Sequence, residues 1–461
     1  MPANRPLIWN YFAHFTPFHE GWGTWSSPQG SHMVDGWSDV NRWIDLARVC
    51  EEGRFDAIFF GDTIGIYDAY QGSPDAAIRA GLQFPDADPS VLIGALGAAT
   101  EHLGFAMTSS IIQAHPFEFA RRMSTLDMMT NGRVGWNIVT SYLESAARNM
   151  GFDGLAEHDE RYEMADDYLA ATYGLWEHSW EDGATVRNAT TGTLYDPKRI
   201  HRVDHVGKYF RTAGPSMMQP TAQRTPLLYQ AGSSSRGTVF AATHAEVTFL
   251  GTQAVNGVAR DVQRVREAAV AAGRPEDAVA CIAMFAPVIG STEAEARAKQ
   301  KAYREALNPQ ALLAFFSTSG VDMSEIDLNR TISSLLAEDG SLSTTGRYWL
   351  EMIVAAFGDP DVSVADAVPS VAPAARFAGT PEQIADEVQR WADAGIDGFN
   401  LVPPETLGWA DEWVTHVVPV LQRRGLMQQD YAPGTLREKL FRASPRLPES
   451  HPARCSVPAR A

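Results

Sequence analysis

Gly53-Arg54-Phe55-Asp56-Ala57-Ile58-Phe59-Phe60-Gly61-Asp62 is the stretch on which the fold turns. A helical pattern over 38–52 stops at Gly53, a residue suited to the left-handed position that closes a helix. A short apolar run follows and ends in a small residue and a carboxylate. The same grammar recurs along the chain. Helix 89–102 gives way to Gly104 and then Phe105-Ala106-Met107-Thr108. Asn131-Gly132 precedes Val134-Gly135-Trp136-Asn137-Ile138-Val139-Thr140, and Ala394-Gly395 precedes Gly398-Phe399-Asn400-Leu401-Val402. Helix starts are marked as well. Asp88-Pro89 and Thr380-Pro381-Glu382-Gln383 each supply an N-cap and a proline at the first helical position, and the second completes a capping box.

Apolar runs buried on both faces and alternating with amphipathic helices imply a parallel sheet. Strands are expected at 6–12, 57–61, 104–110, 133–140, 227–231, 247–251, 279–289 and 398–402. Eight strands in this alternation predict an α/β fold, a (β/α)8 TIM barrel with insertions, as one domain over 1–461. The alternative is an open doubly wound sheet, but no G-x-G-x-x-G follows the first strand. Two spacings exceed a plain βα unit, 179–225 and 309–375. Such insertions usually cover an active site or make oligomer contacts. The tail 430–461 is rich in Pro, Arg and Ser and is expected either to wrap as an arm over the barrel or a partner, or to fray.

Composition narrows the functional classes. The 461 residues carry a net charge of −18, which disfavours nucleic acid and anionic membrane surfaces. Three cysteines, Cys50, Cys281 and Cys455, lie far apart and form no C-x-x-C pair, which fits a reducing compartment. The N-terminus shows no signal-peptide pattern, and no apolar stretch approaches the roughly 20 residues of a membrane span. A cytoplasmic location is expected. His201 and His205 have metal-ligand spacing but no third ligand nearby, so no metal site is expected there.

In barrels of this kind the active site forms at the C-terminal ends of the strands. The rim residues are Asp62 after strand two, Thr108-Ser109-Ser110 at the end of strand three, Asn137, Thr140 and Ser141 around strand four, and Gly232-Ser233-Ser234-Ser235 after strand five. The serine turn opens a helix, so its N–H groups and hydroxyls suit a phosphate, or its serines serve only as N-caps. In Glu157-His158-Asp159-Glu160-Arg161-Tyr162, Asp159 is read as a helix cap. His158 and Tyr162 then share one face, where they could hold a phosphate, relay a proton or simply pack. The loop after strand one gathers Trp9, Phe12, Phe15, Phe18, Trp22 and Trp25 with His14 and His19. These could wall a pocket for a flat or greasy molecule, with Trp9 and Phe12 read as caps of the barrel interior.

Together these segments resemble the luciferase-like flavin monooxygenases of the nitrilotriacetate, dibenzothiophene-sulfone and long-chain alkane monooxygenase group. The matching stretches are 53–62, Arg122-Met123-Ser124-Thr125-Leu126-Asp127, 132–141, 157–162, Tyr229-Gln230-Ala231-Gly232-Ser233-Ser234, 394–399 and Leu436-Arg437-Glu438-Lys439-Leu440-Phe441, in family order over nearly the whole chain. The resemblance implies a barrel that takes reduced FMN from a separate flavin reductase and uses O2 to oxygenate a hydrophobic or heterocyclic small molecule. It also implies a homo-oligomer. By position, Asp62, Asn137 and Thr140, with Thr108 beside them on the rim, would contact the isoalloxazine or ribityl region. His158, Tyr162, Ser233 and Ser234 would surround the phosphate. His19, Tyr67 and Tyr142 are the candidates for steering protons or orienting substrate.

Within the group the chain looks nearest the alkane branch, through Gly65-Ile66-Tyr67-Asp68 and Gln83. It departs from that branch where substrate would be touched: the branch has a cysteine near Thr16, a histidine at Tyr142 and another near Phe315. Three alternatives follow. A riboflavin lyase would cleave riboflavin to lumichrome, a flavin-binding protein would show no turnover, and a deazaflavin-dependent oxidoreductase would differ in the reduced cofactor it accepts.

Overall fold

The computed structural model describes residues 6–455 apart from 18–21, 23, 27–33, 233, 253, 319–321, 339, 341, 374–375 and 405–407. Among the described residues eight parallel strands close a barrel in sequential order. They are β1 (Ile8–His14), β2 (Ala57–Gly61), β3 (Gly104–Ser110), β4 (Val134–Val139), β5 (Leu227–Ala231), β6 (Val247–Phe249), β7 (Ala280–Phe285) and β8 (Gly398–Leu401). Register pairs such as Thr108 with Asn137 and Ile8 with Gly398 place the strand C-termini on one rim. The expected (β/α)8 barrel is the fold.

Alternation along each strand divides the core in two. Trp9, Tyr11, Phe105, Trp136 and Ile138 point outward into the shell of helices. Ile8, Phe59, Ala106, Leu227, Tyr229, Val247, Ala280 and Ile282 fill the interior with Phe12 and Phe249 against them. Trp9 therefore does not cap the barrel interior: it packs on Phe399 and Trp413 at 5.1 and 5.7 Å between ring centroids and donates its indole N–H to Leu426 O. Phe12, three residues on, does point in, because the strand period is two.

The glycine signals did not all mean the same thing. Gly132 and Gly395 take left-handed conformations. At the first helix end Gly53 has φ −73° and Arg54 occupies the left-handed position instead. Gly104 lies inside β3, where a Cβ would meet Leu436 Cδ1 at 2.6 Å and Asp56 O at 2.8 Å. It is there for close approach rather than for a turn. The stretch expected as one strand over 279–289 is also divided: Pro287–Ile289 leaves the barrel and pairs with Phe377–Gly379. A proline at 287 has no N–H to give a barrel ladder.

The C-terminal arm plugs the bottom of the barrel. Leu436 and Leu440 belong to the interior cluster, and their short helix begins with a capping box at Thr435 and Glu438. Arg437, 1 % exposed, pairs with Glu246 at 2.6 Å and donates to the carbonyls of Thr225, Pro226 and Pro445. At the opposite end, segments between Leu307 and Ala372 pack on the loop after β2, in a second apolar cluster with Tyr67, Tyr70 and Leu82. Phe315 lies 5.3 Å from the Tyr67 ring, and Asp322 accepts the Gln71 N–H at 3.1 Å. The stretch 179–225 forms two small hairpins, Thr185–Asn188 with Thr193–Tyr195 and His205–Val206 with Arg211–Thr212. His201 pairs with Glu181 and His205 with Asp167. No helix among the described residues is long and apolar enough to cross a membrane.

Candidate active site

An aromatic floor spans the barrel below its open rim. Phe59 stands edge-on to Tyr229 at 5.4 Å and to Phe249 at 4.9 Å, and tilts against Phe12 at 5.9 Å. Such pairs add about 0.5–1.5 kcal/mol each beyond their buried area, so the floor is rigid. Above it the inward positions turn polar. Asn137 donates its amide to Thr108 Oγ1 at 3.0 Å, both residues being 7 % exposed or less. The Asn137 carbonyl oxygen is buried without a partner. A buried acceptor left unmatched costs about 1–3 kcal/mol, so it marks a place where a donor is expected. Met284, on β7, is 43 % exposed, an apolar side chain facing open space on the inward alternation of its strand.

Beside this pair the rim is braced. Ser110 Oγ meets Ser141 Oγ at 2.6 Å, and Ser141 holds a left-handed φ of 64°. Arg161 donates to Ser141 O at 2.5 Å, which ties the end of β4 to the helix His158–Tyr173. Thr140 lies between these braced residues, half-buried. Asp62 accepts from Gln113 at 2.9 Å, and Gln113 in turn accepts from Ser109 Oγ and Ser110 N. Burial pushes the Asp62 carboxyl up to about 7; the Gln113 bond opposes this, and the negative charges of Asp86 and Asp88 reinforce it.

That value has a testable sign. An ordinary carboxyl titrates near 3.9, so the folded chain holds a proton on Asp62 that the unfolded chain has lost. Stability from this group is complete below the unfolded value and disappears as pH rises towards 7. The stability of Asp62→Asn relative to the parent should therefore climb between about pH 4 and 7 and level off above it. Thermal melts across that range test this, and a pH-independent difference would sink the assignment.

The helix that opens after β5 forms a small polar cradle. Ser234 is its N-cap and accepts the Gly237 N–H at 3.0 Å. His158 Nε2 lies 3.4 Å from Ser234 Oγ, and the His158 and Tyr162 rings meet at 5.2 Å. Arg236 lies 5.3 Å above the Tyr162 ring and pairs with Asp166 at 2.5 Å. A Cβ at Gly237 would sit 2.8 Å from Tyr162 Oη and 3.0 Å from both Gly232 Cα and Ser234 Oγ. The cradle thus closes only around glycine. Its donors (imidazole, phenol, hydroxyl and a helix N-terminus) are of the kind that hold a phosphate. Asp159 is not the helix cap. The helix starts at His158, and Asp159 lies in its first turn, where it takes His158 Nδ1 at 2.7 Å. That contact leaves Nε2 facing Ser234.

Tyr67 and Tyr142 meet at 2.6 Å between hydroxyls although 75 residues separate them. Burial of its hydroxyl holds the Tyr142 phenol above its ordinary value, against the bonds to Tyr67 and Thr63, so it acts as a hydrogen-bond partner rather than as a phenolate. Tyr142 as a whole is 43 % exposed at the rim while Tyr67 is 1 % exposed beneath it. Tyr67 also donates to Gln83 at 2.8 Å, and Gln83 reaches His14 at 3.3 Å. His19 and Ser233 lie outside the described residues. Sequence reasoning gave no role to Gln113, Arg161 or Asp86. His14 was noted only among the aromatics, although its place at the C-terminal end of β1 was a usable signal.

A flavin suits this arrangement. The unmatched Asn137 oxygen offers an acceptor to a ring edge that carries N–H, the aromatic floor suits a flat ring, and the cradle suits a terminal phosphate. The family model described as luciferase-like monooxygenase matches residues 12–398. The chain belongs to that family, and it is a flavin-dependent monooxygenase. It is 40 % identical over 438 residues to the long-chain alkane monooxygenase of Geobacillus thermodenitrificans, covering 94 % of each chain. To the dimethyl-sulfide monooxygenase of Hyphomicrobium sulfonivorans it is 38 % identical, covering 97 % of this chain and 93 % of that one. A crystal structure of riboflavin lyase with modified FMN and substrate riboflavin superposes with a TM-score of 0.85 at 34 % identity, over 97 % of this chain and 99 % of that one.

Proposed function

We propose that this protein is the oxygenating component of a two-component system. It takes reduced FMN from a separate flavin reductase and, with O2, oxygenates a small hydrophobic or heterocyclic molecule. The observation that carries this reading is the unmatched Asn137 oxygen above the aromatic floor, on the same rim as the His158–Tyr162–Ser234 cradle. Asn137, Thr108, Thr140 and Asp62 are assigned to the ring and ribityl region, and His158, Tyr162 and Ser234 to the phosphate. Bound reduced FMN supplies the electrons that activate oxygen.

The chain's own residues do the rest. The floor and the Thr108–Asn137 pair orient the ring, and Arg161 holds the β4 rim in place through Ser141. The insertion packed on Tyr67 screens the pocket from bulk water. Tyr67 and Tyr142 orient the substrate. The resemblance puts a histidine of the alkane branch at Tyr142 and another near Phe315, and their absence from this chain favours a substrate other than a long alkane. The same reading takes the chain as one barrel domain with insertions, cytoplasmic and homo-oligomeric.

The test is aerobic turnover with FMN, NADH and a generic flavin reductase, followed by mass spectrometry over hydrocarbons, organic sulfides, aromatic sulfones and riboflavin. A product that gains one oxygen atom, dependent on reductase and air, is expected. Lumichrome from riboflavin would replace this reading with a lyase. Activity with reduced deazaflavin alone would replace the cofactor, and flavin binding without product from any panel member would favour a non-catalytic role.

A further inference from the structure

Gln113 joins the loops after β2 and β3, and its amide has one orientation. Its Oε1 accepts the Ser110 backbone N–H at 3.2 Å and the Ser109 hydroxyl at 2.9 Å, from two buried residues. A backbone N–H only donates, so the amide oxygen stays on that side and Nε2 faces Asp62 Oδ2 at 2.9 Å. The turn that carries Gln113 is itself anchored. Gln113 N–H donates to Ser110 O at 3.0 Å, Ile112 N–H to Ser110 Oγ at 3.4 Å, and Ile111 N–H to Val139 O at 3.2 Å. On the other side, the residue after Asp62 is tied down, with Thr63 N–H on Asp86 Oδ2 at 3.1 Å.

Asp62 Oδ2 is therefore a committed acceptor. Whenever this carboxyl holds a proton, the proton sits on Oδ1. Neutral Asp62 is then an O–H donor in one direction, and ionised Asp62 is an acceptor with a negative charge. Burial favours the neutral acid, the Gln113 bond opposes it, the charges of Asp86 and Asp88 favour it and His14 opposes it, with the balance at about 7. Those three are the charged and titratable groups facing Asp62; the turn after β3 brings Ser109, Ser110 and Gln113, which carry no charge. A reduced flavin ring is an anion near neutral pH and an oxidised ring is uncharged, and charge beside the ring is one of the protein's means of tuning it. A carboxylate at residue 62 would repel the reduced ring, whereas the neutral acid can donate to it.

We propose that Gln113 is a positioning residue that turns the Asp62 carboxyl so that its proton faces the flavin ring, which couples binding of the anionic reduced ring to a proton on Asp62. The pair thus favours reduced flavin as long as the proton is held, and disfavours it once the proton is lost. This rests on the assignment of Asp62 to the ring region.

The test is the anaerobic affinity of reduced riboflavin, which has no phosphate to titrate, measured by calorimetry from about pH 6 to 8.5 for the parent, Asp62→Asn and Gln113→Met. Dividing the parent affinity by that of Asp62→Asn, whose amide donates without titrating, cancels the ionisation of the flavin itself. This ratio should fall by at least about tenfold across the range, because one proton is coupled to binding. Oxidised riboflavin should show a fall several-fold smaller. Gln113→Met should move the fall to higher pH, since the lost bond favoured the carboxylate. At pH 6 it should already bind about 5- to 10-fold more weakly than the parent, the loss expected for one misaligned hydrogen bond. If Gln113→Met does not fold, Ser109→Ala, which frees one side of the amide, should show the same shift at smaller size. A flat ratio, an equal fall for oxidised riboflavin, or a Gln113→Met profile that coincides with the parent's overturns the proposal. Binding is read without oxygen or substrate, so any of these leaves the monooxygenase reading standing, whereas a parent that binds no flavin at all would remove both.

Discussion

Ser234→Asp should leave the barrel folded and weaken FMN binding by at least about 100-fold, roughly 3 kcal/mol. Aspartate caps a helix as well as serine does, so the Gly237 N–H keeps an acceptor and the helix Ser235–His244 keeps its start. What changes is charge. A carboxylate would stand beside His158 Nε2 and Tyr162 where the phosphate is assigned, and like charges in a partly buried site cost several kcal/mol. Titrating FMN and riboflavin in parallel isolates the cause, because riboflavin has no phosphate. The loss should be large for FMN and small for riboflavin. Equal losses would mean that the substitution disturbs the ring site, and unchanged FMN affinity would remove the phosphate assignment.

Arg437→Ala should cost about 3–5 kcal/mol of stability, because it leaves Glu246 as a buried, unpaired charge and orphans a set of carbonyls. Urea unfolding with a fitted midpoint measures this. Replacing both partners, Arg437→Met with Glu246→Leu, should recover much of the loss, since two matched apolar side chains avoid the desolvation of the ion pair. The site lies at the bottom of the barrel, away from the rim, so FMN affinity should be unchanged in whatever fraction remains folded. A cost below about 1 kcal/mol for the single variant would mean that the arm is an ornament rather than a plug.

Those two predictions differ in how much of their basis could be read in the chain. The serine turn after β5 is a local pattern, and its position on the rim followed from counting strands. Arg437 sits in a tail that could equally have frayed. Its role depends on Glu246, 191 residues earlier, and on carbonyls that only the closed barrel brings within reach. The helix cap at Asp159 failed for a local reason: the helix starts two residues earlier, with Glu157 as its N-cap, which shifts the carboxylate into the first turn. The glycine signals failed in part because glycine answers two needs, a left-handed turn and the absence of a side chain. Gly104 serves the second, against a leucine from the tail.

The sequence by itself determined the alternation of eight strands and helices, the helix caps at Asp88 and Thr380, and which side chains stand at the strand ends. Each of these is written in a window of a few residues, through the periods 2 and 3.6 and the chemistry of caps. It also determined the family, because several motifs in order are more specific than any one. Only the tertiary structure decided which rim residues meet. Tyr67 with Tyr142, His14 with Gln83 and Asp86, and Asp62 with Gln113 are joined across loops of different strands. Barrel closure sets those distances, and no local pattern encodes them. The space for His14 is the plainest case, since it depends on a missing methyl group at residue 61, on the neighbouring strand.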